Sequence, residues 1–381
     1  MQISRKQLRY IYNRFTFTRP SFAYYPVNSA TPGKRATYGE ARVGIMTNGA
    51  AGVLVEQGTT NLVSRTKQKF NGWTAYQGAT VTLTQNQTVP EWSATDATRI
   101  QTSGGTNTQK YVLTFGSASV NATTYTMSAY VKNVGVVAVK FINGIGGTIT
   151  IQPGEMGRFS VTGIGNGTTW HIFAFYALNA ADNLDFIAWR PQAETKTYAT
   201  SWTDGTRSPE SLSVPVPFTP QEGGEISFIV EVNDACKRQV AGQYPRLIEI
   251  TRSIGGTGLY VAHSESVAQF TMRTLNDAGE YTQTVFSDSL IPNGARTLDV
   301  IHDKAIPAVI LECDGTEIAR ITNPALPSGW GGAYPGSDAT GKNHADAMFG
   351  GIKMTAADST VLSDVLFNGP DFVRKARTIQ L

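Results

Sequence analysis

The stretch Tyr125–Val131 reads YTMSAYV and decides the fold class. Successive side chains of a β-strand point to opposite faces, so this stretch separates into two sets. One set is Thr126, Ser128 and Tyr130, and the other is Tyr125, Met127, Ala129 and Val131. The pattern predicts a half-buried strand rather than a helix.

Similar short apolar runs recur on both sides of this strand, separated by Gly, Asn and Pro. Two of the turns are strong hairpin signals. Asn143–Gly144 separates Val136–Ile142 from Gly147–Ile151, and Asp314–Gly315 follows a run that ends at Cys313. Short strands at close intervals are typical of β-sandwiches.

The composition supports the same fold class. Only 16% of the 381 residues are charged, while glycine is abundant, which argues against a helical bundle, a coiled coil and a disordered chain. No apolar run reaches the roughly 20 residues that cross a bilayer. The first residues, MQISRK, lack the apolar core of a signal peptide, so we expect a chain made in the cytoplasm, without a membrane partner.

We therefore predict an all-β protein: two β-sandwich (jelly-roll) domains preceded by an extended N-terminal arm with a short helix. The arm and leader comprise residues 1–66, and Ser4 with Gln7 would open the helix. Residues 67–207 and 221–381 form the sandwiches. Between them, the Pro-rich segment 208–220 is expected to be a semi-rigid spacer that cannot make a central strand.

The N-terminal arm is basic and aromatic. Up to Arg42 its only acidic residue is Glu40. Arginine and tyrosine together are enriched at protein interfaces, which favours docking onto a protein assembly over binding of nucleic acid. The residues that we expect to anchor the chain are Arg5, Lys6, Arg9, Tyr10, Arg14, Phe17 and Arg19.

The sequence offers no motif for catalysis or cofactor binding, and we expect no enzyme activity, cofactor or metal. Cys236 and Cys313 are predicted to be buried small side chains. Two carboxylate pairs could be imagined to cleave a glycoside, Asp182 with Asp185 and Glu312 with Asp314, but such pairs arise by chance. The segment 338–346 (DATGKNHAD) resembles a loose calcium loop, although a solvated loop is the favoured interpretation.

Three sets of residues resemble bacteriophage virion and tail-fibre proteins. The leader carries FTRPSFAY (residues 17–24) and GVLVEQGTTNL (residues 52–62). Three further segments resemble the carbohydrate-binding-like module of that family: YTMSAYVK (125–132), PQAE (191–194) and ATSW (199–202). In the last two, Ala193 and Trp202 replace the usual Leu and Tyr. Residues 221–381 resemble a concanavalin-like or laminin-G-like sandwich through ILECDGTEIA (310–319) and LSDVLF (362–367). The resemblance implies a virion appendage, and many family members bind host-surface glycans.

Sugar recognition needs flat aromatic faces and a few amide or carboxylate partners. Trp170 and Trp189 lie in apolar strands and are predicted to be core residues. Trp92, after Pro90, and Trp330, among glycines, are predicted to be exposed and to bind glycan together with Tyr334. Contact with a neighbouring subunit is the alternative role for an exposed aromatic residue.

The sequence thus predicts a non-enzymatic tail fibre or receptor-binding type of protein in the virion. Its arm would contact other virion structural proteins, and its sandwiches would attach to host cell-surface polysaccharide. We expect a homo-oligomer, most simply a trimer, because weak glycan contacts gain from multivalency. The alternative is a purely structural capsid or tail decoration protein that binds no sugar.

Overall fold

The computed structural model describes residues 16–18, 23–24, 35–36, 42–48, 51–167, 170–237, 244–337, 339, 345, 347–357 and 361–366. The predicted N-terminal helix, six of the seven anchoring residues and most of the segment 338–346 lie outside these ranges. The all-β prediction is confirmed: the described residues form 29 strands and four short 3-10 helices. The 3-10 helices are Arg65–Lys67, Pro90–Trp92, Asp234–Lys237 and Asp288–Leu290.

Five short strands precede residue 59. They are β1 (Thr16–Thr18), β2 (Ala23–Tyr24), β3 (Arg35–Ala36), β4 (Arg42–Ile45) and β5 (Ala51–Val55). Strands β2 and β3 form a two-stranded sheet.

Twelve strands follow between residues 59 and 207, in a compact unit that we call the middle domain and that also includes Arg35. They are β6 (Thr59–Thr60), β7 (Thr74–Ala75), β8 (Ala79–Val89), β9 (Ala94–Gly104), β10 (Gln109–Ala118), β11 (Thr124–Asn133), β12 (Val139–Asn143), β13 (Gly147–Ile151), β14 (Met156–Ile164), β15 (Trp170–Ala177), β16 (Asp185–Glu194) and β17 (Thr206–Arg207).

The middle domain is a β-sandwich. One sheet has the order β13-β12-β15-β10-β7 and the other β14-β11-β16-β9-β8, while β6 pairs with β17. Phe141 and Phe173 of the first sheet pack in one buried cluster with Met127 and Phe186 of the second. Met127, Ala129 and Val131 face this core. The strand is nevertheless not half-buried as predicted, because Thr126, Ser128 and Tyr130 on its opposite face are buried as well.

Twelve further strands follow residue 207. They are β18 (Ser211–Pro215), β19 (Gly224–Val232), β20 (Arg246–Arg252), β21 (Thr257–His263), β22 (Gln269–Leu275), β23 (Tyr281–Ser287), β24 (Gly294–Asp303), β25 (Ala308–Cys313), β26 (Thr316–Thr322), β27 (Trp330–Pro335), β28 (Ala347–Ala356) and β29 (Val361–Leu366).

These strands form the second compact unit together with β1, β4 and β5. We call it the split domain, because its sequence is interrupted by the middle domain. Its seven-stranded sheet has the order β1-β18-β27-β20-β21-β22-β23, and its eight-stranded sheet contains β26-β25-β24-β19-β28-β5-β4 with β29 beside β28. Ile248 and Phe270 of one sheet share a core with Phe228 and Leu311 of the other, so this unit is also a sandwich.

Both predicted hairpins are present. Strand β12 pairs with β13 around Asn143, and β25 pairs with β26 across Asp314 and Gly315. Asp314 and Gly315 have φ values of 51° and 78°, as a type I′ turn requires at both central positions.

The Pro-rich segment 208–220 is not merely a spacer, and that prediction was wrong for Ser211–Pro215. This strand pairs with β1 on one side and with β27 on the other. Its one proline stands at the last position, so the backbone N–H groups before it remain available to the sheet. Leu212 and Val214 are fully buried in the core of the split domain.

The leader also contributes to the split domain instead of forming a separate arm. Strand β5 pairs with β28, which places Val53 and Val55 in the core with no exposed surface. Phe17, one of the predicted anchoring residues, lies in β1 with its backbone opposite Leu212. Cys236 and Cys313 are buried, as predicted.

Candidate functional site

Trp92 is buried, so the prediction that its ring is exposed was wrong. Its side chain is 2% exposed and stacks parallel to Trp189 with ring centroids 6.2 Å apart. Tyr130 packs against both indoles, at 5.6 and 5.3 Å. The short helix that begins at Pro90 folds Trp92 onto the outer side of a middle-domain sheet, where these rings form a small second core. Trp189 is buried as predicted, but in this cluster.

Trp330 is also buried, at 9% exposure, and its glycine neighbours explain why. A Cβ on Gly258 of strand β21, which is separated from β27 by β20, would lie 2.8 Å from the Trp330 ring. A Cβ on Gly331 would lie 2.5 Å from Thr251 Oγ1. These glycines let backbone and indole approach closely, which buries the ring rather than exposing it.

Tyr334 is half-buried and lies on the outer face of the seven-stranded sheet. Its partner across the sheet is Glu249, and the same row continues through Tyr260, Arg273 and Gln283. The alternate residues of these strands face the core, so this row faces away from it. We call the following set the tyrosine face: Tyr334, Arg246, Glu249, Tyr260, Arg273, Tyr281 and Gln283.

Arginine side chains order the tyrosine face. The guanidinium of Arg273 lies 4.5 Å from the ring centre of Tyr281 and 5.4 Å from that of Tyr260, and its Nε donates to Gln283 Oε1 at 2.9 Å. Arg246 lies 4.8 Å from the same Tyr260 ring. Contacts of this kind hold both arginines and tyrosines in place before any ligand arrives.

The single carboxylate of the tyrosine face is held from two sides. Glu249 forms an ion pair with Arg246 and accepts a 3.1 Å hydrogen bond from Thr257 Oγ1. It is 2% exposed, whereas Tyr281 is 57% exposed. The face thus has a fixed polar centre and a solvent-facing aromatic rim.

The tyrosine hydroxyls are available to a ligand. Burial raises the pKa of Tyr260, although Arg273 and Arg246 oppose the rise, so its hydroxyl is neutral at physiological pH. A neutral phenol can both donate and accept a hydrogen bond. Within the described residues, the hydroxyls of Tyr260, Tyr281 and Tyr334 have no hydrogen-bond partner.

The tyrosine face is chemically suited to bind a hydroxylated ring system, because it combines flat rings, one amide and fixed guanidinium groups on an open sheet. Aromatic faces pack on C–H groups, while planar polar side chains hydrogen-bond to hydroxyls. Of the predicted glycan residues, only Tyr334 lies on this face. Tyr260, Tyr281 and Gln283 were not identified from sequence, because only the register of β27 with the four strands β20 to β23 brings them onto one face with Tyr334.

Three of the four carboxylates considered for catalysis accept hydrogen bonds within the fold. Arg99 donates to both oxygens of Asp185 at 2.8 and 2.6 Å, and these hydrogen bonds hold the pKa of Asp185 below its usual range. Asp182 accepts from the backbone of Asn179, and Asp314 accepts from Arg296. In the described ranges, no three His, Cys, Asp or Glu side chains are placed to hold a metal ion. Those ranges also contain no helix able to span a bilayer.

The motif residues of the middle domain form a buried polar network. Asn61 accepts hydrogen bonds from the N–H groups of Val63 and Ala193, and it donates to the carbonyls of Pro191 and Thr203. Nearby, Glu194 accepts from Thr59 Oγ1, Thr200 N, Thr200 Oγ1 and Gln192 Nε2 at 2.7 to 2.8 Å. These motifs therefore tie the start and end of the domain together and do not face solvent.

No protein-family model matches the chain, and no curated protein sequence matches it significantly. Among solved structures, the chain is similar to the CBM22-1 xylan-binding domain of Paenibacillus barcinonensis Xyn10C, with 16% identity, a TM-score of 0.28, and coverage of 38% of this chain and 99% of that one. The tandem CBM22-1–CBM22-2 domain of Xyn10C gives 12% identity, a TM-score of 0.27, and coverage of 80% and 98%. Domains LG4-5 of the mouse laminin alpha1 chain give 10% identity and a TM-score of 0.26, and the match covers 68% of this chain and 91% of that one. Similarities this low say nothing about a ligand of this chain, and the resemblance to phage proteins stays a prediction.

Proposed function

We propose that this protein is a non-enzymatic bacteriophage virion appendage, of tail-fibre or receptor-binding type, that attaches to host-surface glycans through the tyrosine face. The observation that carries the glycan part is the row from Tyr334 through Glu249, Tyr260 and Arg273 to Gln283 on one outward sheet face. It combines the aromatic and planar polar groups that sugar recognition uses.

The dimensions of the row suit a chain of sugars. Neighbouring strands lie about 4.8 Å apart, so five strands carry the row over about 19 Å. An open surface of this length favours an oligosaccharide over a single sugar unit. Tyr281 marks the solvent-exposed end of the row, and Tyr334 marks the half-buried end.

The virion part of the proposal is supported by the sequence of the N-terminal region. Its arginines and aromatic residues are suited to a protein interface with other virion structural proteins. Trimerisation would present three tyrosine faces together and raise the avidity for a repeating polysaccharide. Removal of residues 1–14 would leave every described strand in place and should abolish incorporation into the particle.

Binding of purified host-envelope polysaccharide and of a glycan array tests the proposal. Tyr281→Ala should weaken binding about tenfold, since an aromatic contact contributes about 0.5–1.5 kcal/mol beyond its buried area. Tyr76→Ala, a half-buried tyrosine of the middle domain, is the matched control and should bind like the unmodified protein.

Two outcomes would contradict the glycan part. One is the absence of binding to every envelope fraction. The other is unchanged binding by the variants Tyr281→Ala and Tyr260→Ala. A protein that joins the particle but shows either result would be a structural decoration protein.

A further inference from the structure

The split domain also contains a cleft that none of the tyrosine-face residues lines. It has a volume of about 390 Å³ and lies between three turns. These turns precede β19, join β24 to β25, and follow β26. The residues that line the cleft are Pro220, Gln221, His302, Lys304, Pro307, Asn323, Pro324 and Leu326.

The first wall is rigid before any ligand arrives. In the turn that carries Pro220 and Gln221, Glu222 Oε2 accepts hydrogen bonds from Thr219 N at 2.8 Å and from Thr219 Oγ1 at 3.0 Å. The N–H of Glu222 in turn donates to the Thr219 carbonyl at 3.1 Å. A ligand would therefore pay little to order this turn.

The other two walls are tied to each other. Asp303 Oδ1 accepts from the backbone N–H of Ala305 at 2.8 Å, which fixes the turn that carries Lys304. The N–H of Asn323 donates to the carbonyl of Pro307 at 2.7 Å across the cleft wall. Asn323 itself has a φ of 51°, a left-handed conformation that this bond helps to hold.

His302 supplies a polar atom without a partner. It lies near the end of β24, opposite Gly224 on one side and Val309 on the other. Its Nδ1 is buried and has no hydrogen-bond partner within the described residues. Buried polar atoms are nearly always satisfied in proteins, so the imidazole that lines this cleft has hydrogen-bonding capacity that the described residues do not use. Burial lowers the pKa of His302, which therefore presents a neutral imidazole.

Lys304 supplies the charge. Its ammonium group is exposed and has no ion-pair partner among the described residues. The two nearby carboxylates, of Asp303 and Glu222, accept hydrogen bonds from their own turns. Lys304 attracts the carboxylate of Glu222 and helps to lower its pKa without forming an ion pair, so the ammonium group can still approach an anion in the cleft. The amides of Gln221 and Asn323 can bond to hydroxyls.

We infer that this cleft binds one acidic sugar unit, a hydroxylated ring that carries a carboxylate. Lys304 would pair with the carboxylate, His302 and the two amides would bond to ring hydroxyls, and the prolines with Leu326 would pack on the apolar side of the ring. This inference rests on the proposed function in taking the ligand to be a sugar. It adds that the recognised polysaccharide contains uronic acid.

Histidine NMR on the full chain tests the inference, because only four histidines contribute signals. The His302 signal is assigned with His302→Phe, and glucuronate and galacturonate are then titrated. We expect a saturable shift of that signal with at least one of the two uronates. Glucose has the hydroxylated ring without the carboxylate, and acetate has the carboxylate without the ring. Each should therefore bind at least tenfold more weakly than the uronate.

Lys304→Gln should weaken uronate binding about tenfold, since a charge-assisted hydrogen bond is lost. Lys353→Gln, on the outer face of the eight-stranded sheet, is the matched control and should titrate like the unmodified protein. The inference is overturned if the His302 signal does not respond to either uronate, if glucose or acetate shifts it equally well, or if Lys304→Gln binds as tightly.

Failure here is distinguishable from failure of the proposed function. Tyr281→Ala removes part of the tyrosine face and should leave the uronate titration unchanged. Loss of polysaccharide binding with an intact His302 response contradicts only the role of the tyrosine face. If the His302 signal does not respond to uronate although polysaccharide binding is intact, only the acidic-sugar cleft is contradicted.

Discussion

Thr59 donates a 2.7 Å hydrogen bond to the carboxylate of Glu194, which lies 135 residues further along the chain and has no exposed surface. The same carboxylate accepts three more hydrogen bonds from Gln192 and Thr200. Four donors converge on one buried carboxylate, and its removal would leave the Thr59 hydroxyl and the Thr200 N–H without their acceptor. The residue pair therefore fastens the first strand of the middle domain to its last long strand.

Replacement of Glu194 should expose this dependence. Glu194→Met keeps the length of the side chain but removes every acceptor, and we expect the free energy of unfolding to fall by about 3 kcal/mol or more. Glu194→Gln should cost less, because the hydroxyls of Thr59 and Thr200 can turn to accept from the new amide. Urea unfolding measures both, with the exposed Glu155→Gln as control. Equal stability of the Met variant would show that the network is dispensable.

Gly258 should tolerate no side chain. Alanine there would place its Cβ 2.8 Å from the Trp330 ring, and we expect a loss of about 1–3 kcal/mol together with a shift of the indole toward solvent. Gly157→Ala is the matched control, because the nearest atom to its Cβ would be 3.7 Å away. Thermal unfolding and the Trp330 indole N–H signal report the two effects. An unmoved indole with unchanged stability would contradict the packing described for β27.

The outer face of the eight-stranded sheet should give a pH dependence. Burial raises the pKa of Glu225 above its ordinary 4.5, and the nearby Asp299 adds to the rise. The folded protein then holds this proton more tightly than the unfolded chain. The contribution of Glu225 to stability therefore falls as the pH rises from 4.5 through the raised value. Glu225→Gln should remove that decline.

Glu317 provides a comparison of opposite sign. Its hydrogen bond from Arg320 lowers its pKa, so its contribution is present above pH 4.5 and is lost as the pH falls through the lowered value. The free energy of unfolding is measured at a series of pH values for each Gln variant and for the unmodified protein. The difference at each pH separates the contribution of Glu225 from that of Glu317. Parallel difference curves for both variants would contradict the assignment for Glu225.

The leader should be necessary for the split domain to fold. A fragment of residues 208–381 lacks β5 and so loses Val53 and Val55, whose burial contributes about 1.5–3 kcal/mol each. It also leaves the first half of β28 paired with β19 on one side and with no strand on the other. We expect this fragment to aggregate or to remain unfolded by circular dichroism. Addition of a peptide of residues 42–58 should restore structure.

The same peptide with Val53→Asp is the control and should not restore it. Residues 59–207 contain both five-stranded sheets of the middle domain and should fold alone. A fragment 208–381 that is folded and monomeric without the peptide would refute the need for the leader.

Local features of the fold could be predicted from sequence, and features that depend on distant pairing could not. The turn at Asp314 and Gly315 is encoded by adjacent residues, since a two-residue loop fixes its own geometry. The hairpin at Asn143 also forms, but with the three residues 144–146 in its loop. The alternation around Met127 is equally local. Strand β18 was missed because its role comes from β1 and β27, whose residues lie far from Leu212 in the sequence.

The candidate site shows the same limit more sharply. Tyr334 lies half-buried on an outer sheet face, and its role in glycan binding stays a prediction. Trp92 and Trp330 were expected to be exposed because their immediate neighbours are loop-forming. Their burial depends on Trp189 and on Gly258, which neither local sequence contains. The tyrosine face itself exists only through the register of β20 to β23 with β27.

The two ends of the middle domain leave it side by side, since Thr59 pairs with Arg207 and Thr60 with Thr206. Within the split domain, the chain on either side of this insertion is joined as well, by hydrogen bonds between the backbones and side chain of Glu56 and Glu210. Such an arrangement makes the insert exchangeable. Recombination could replace it with an unrelated module, or a short loop could close the gap, and one sandwich would then change while the other stays the same.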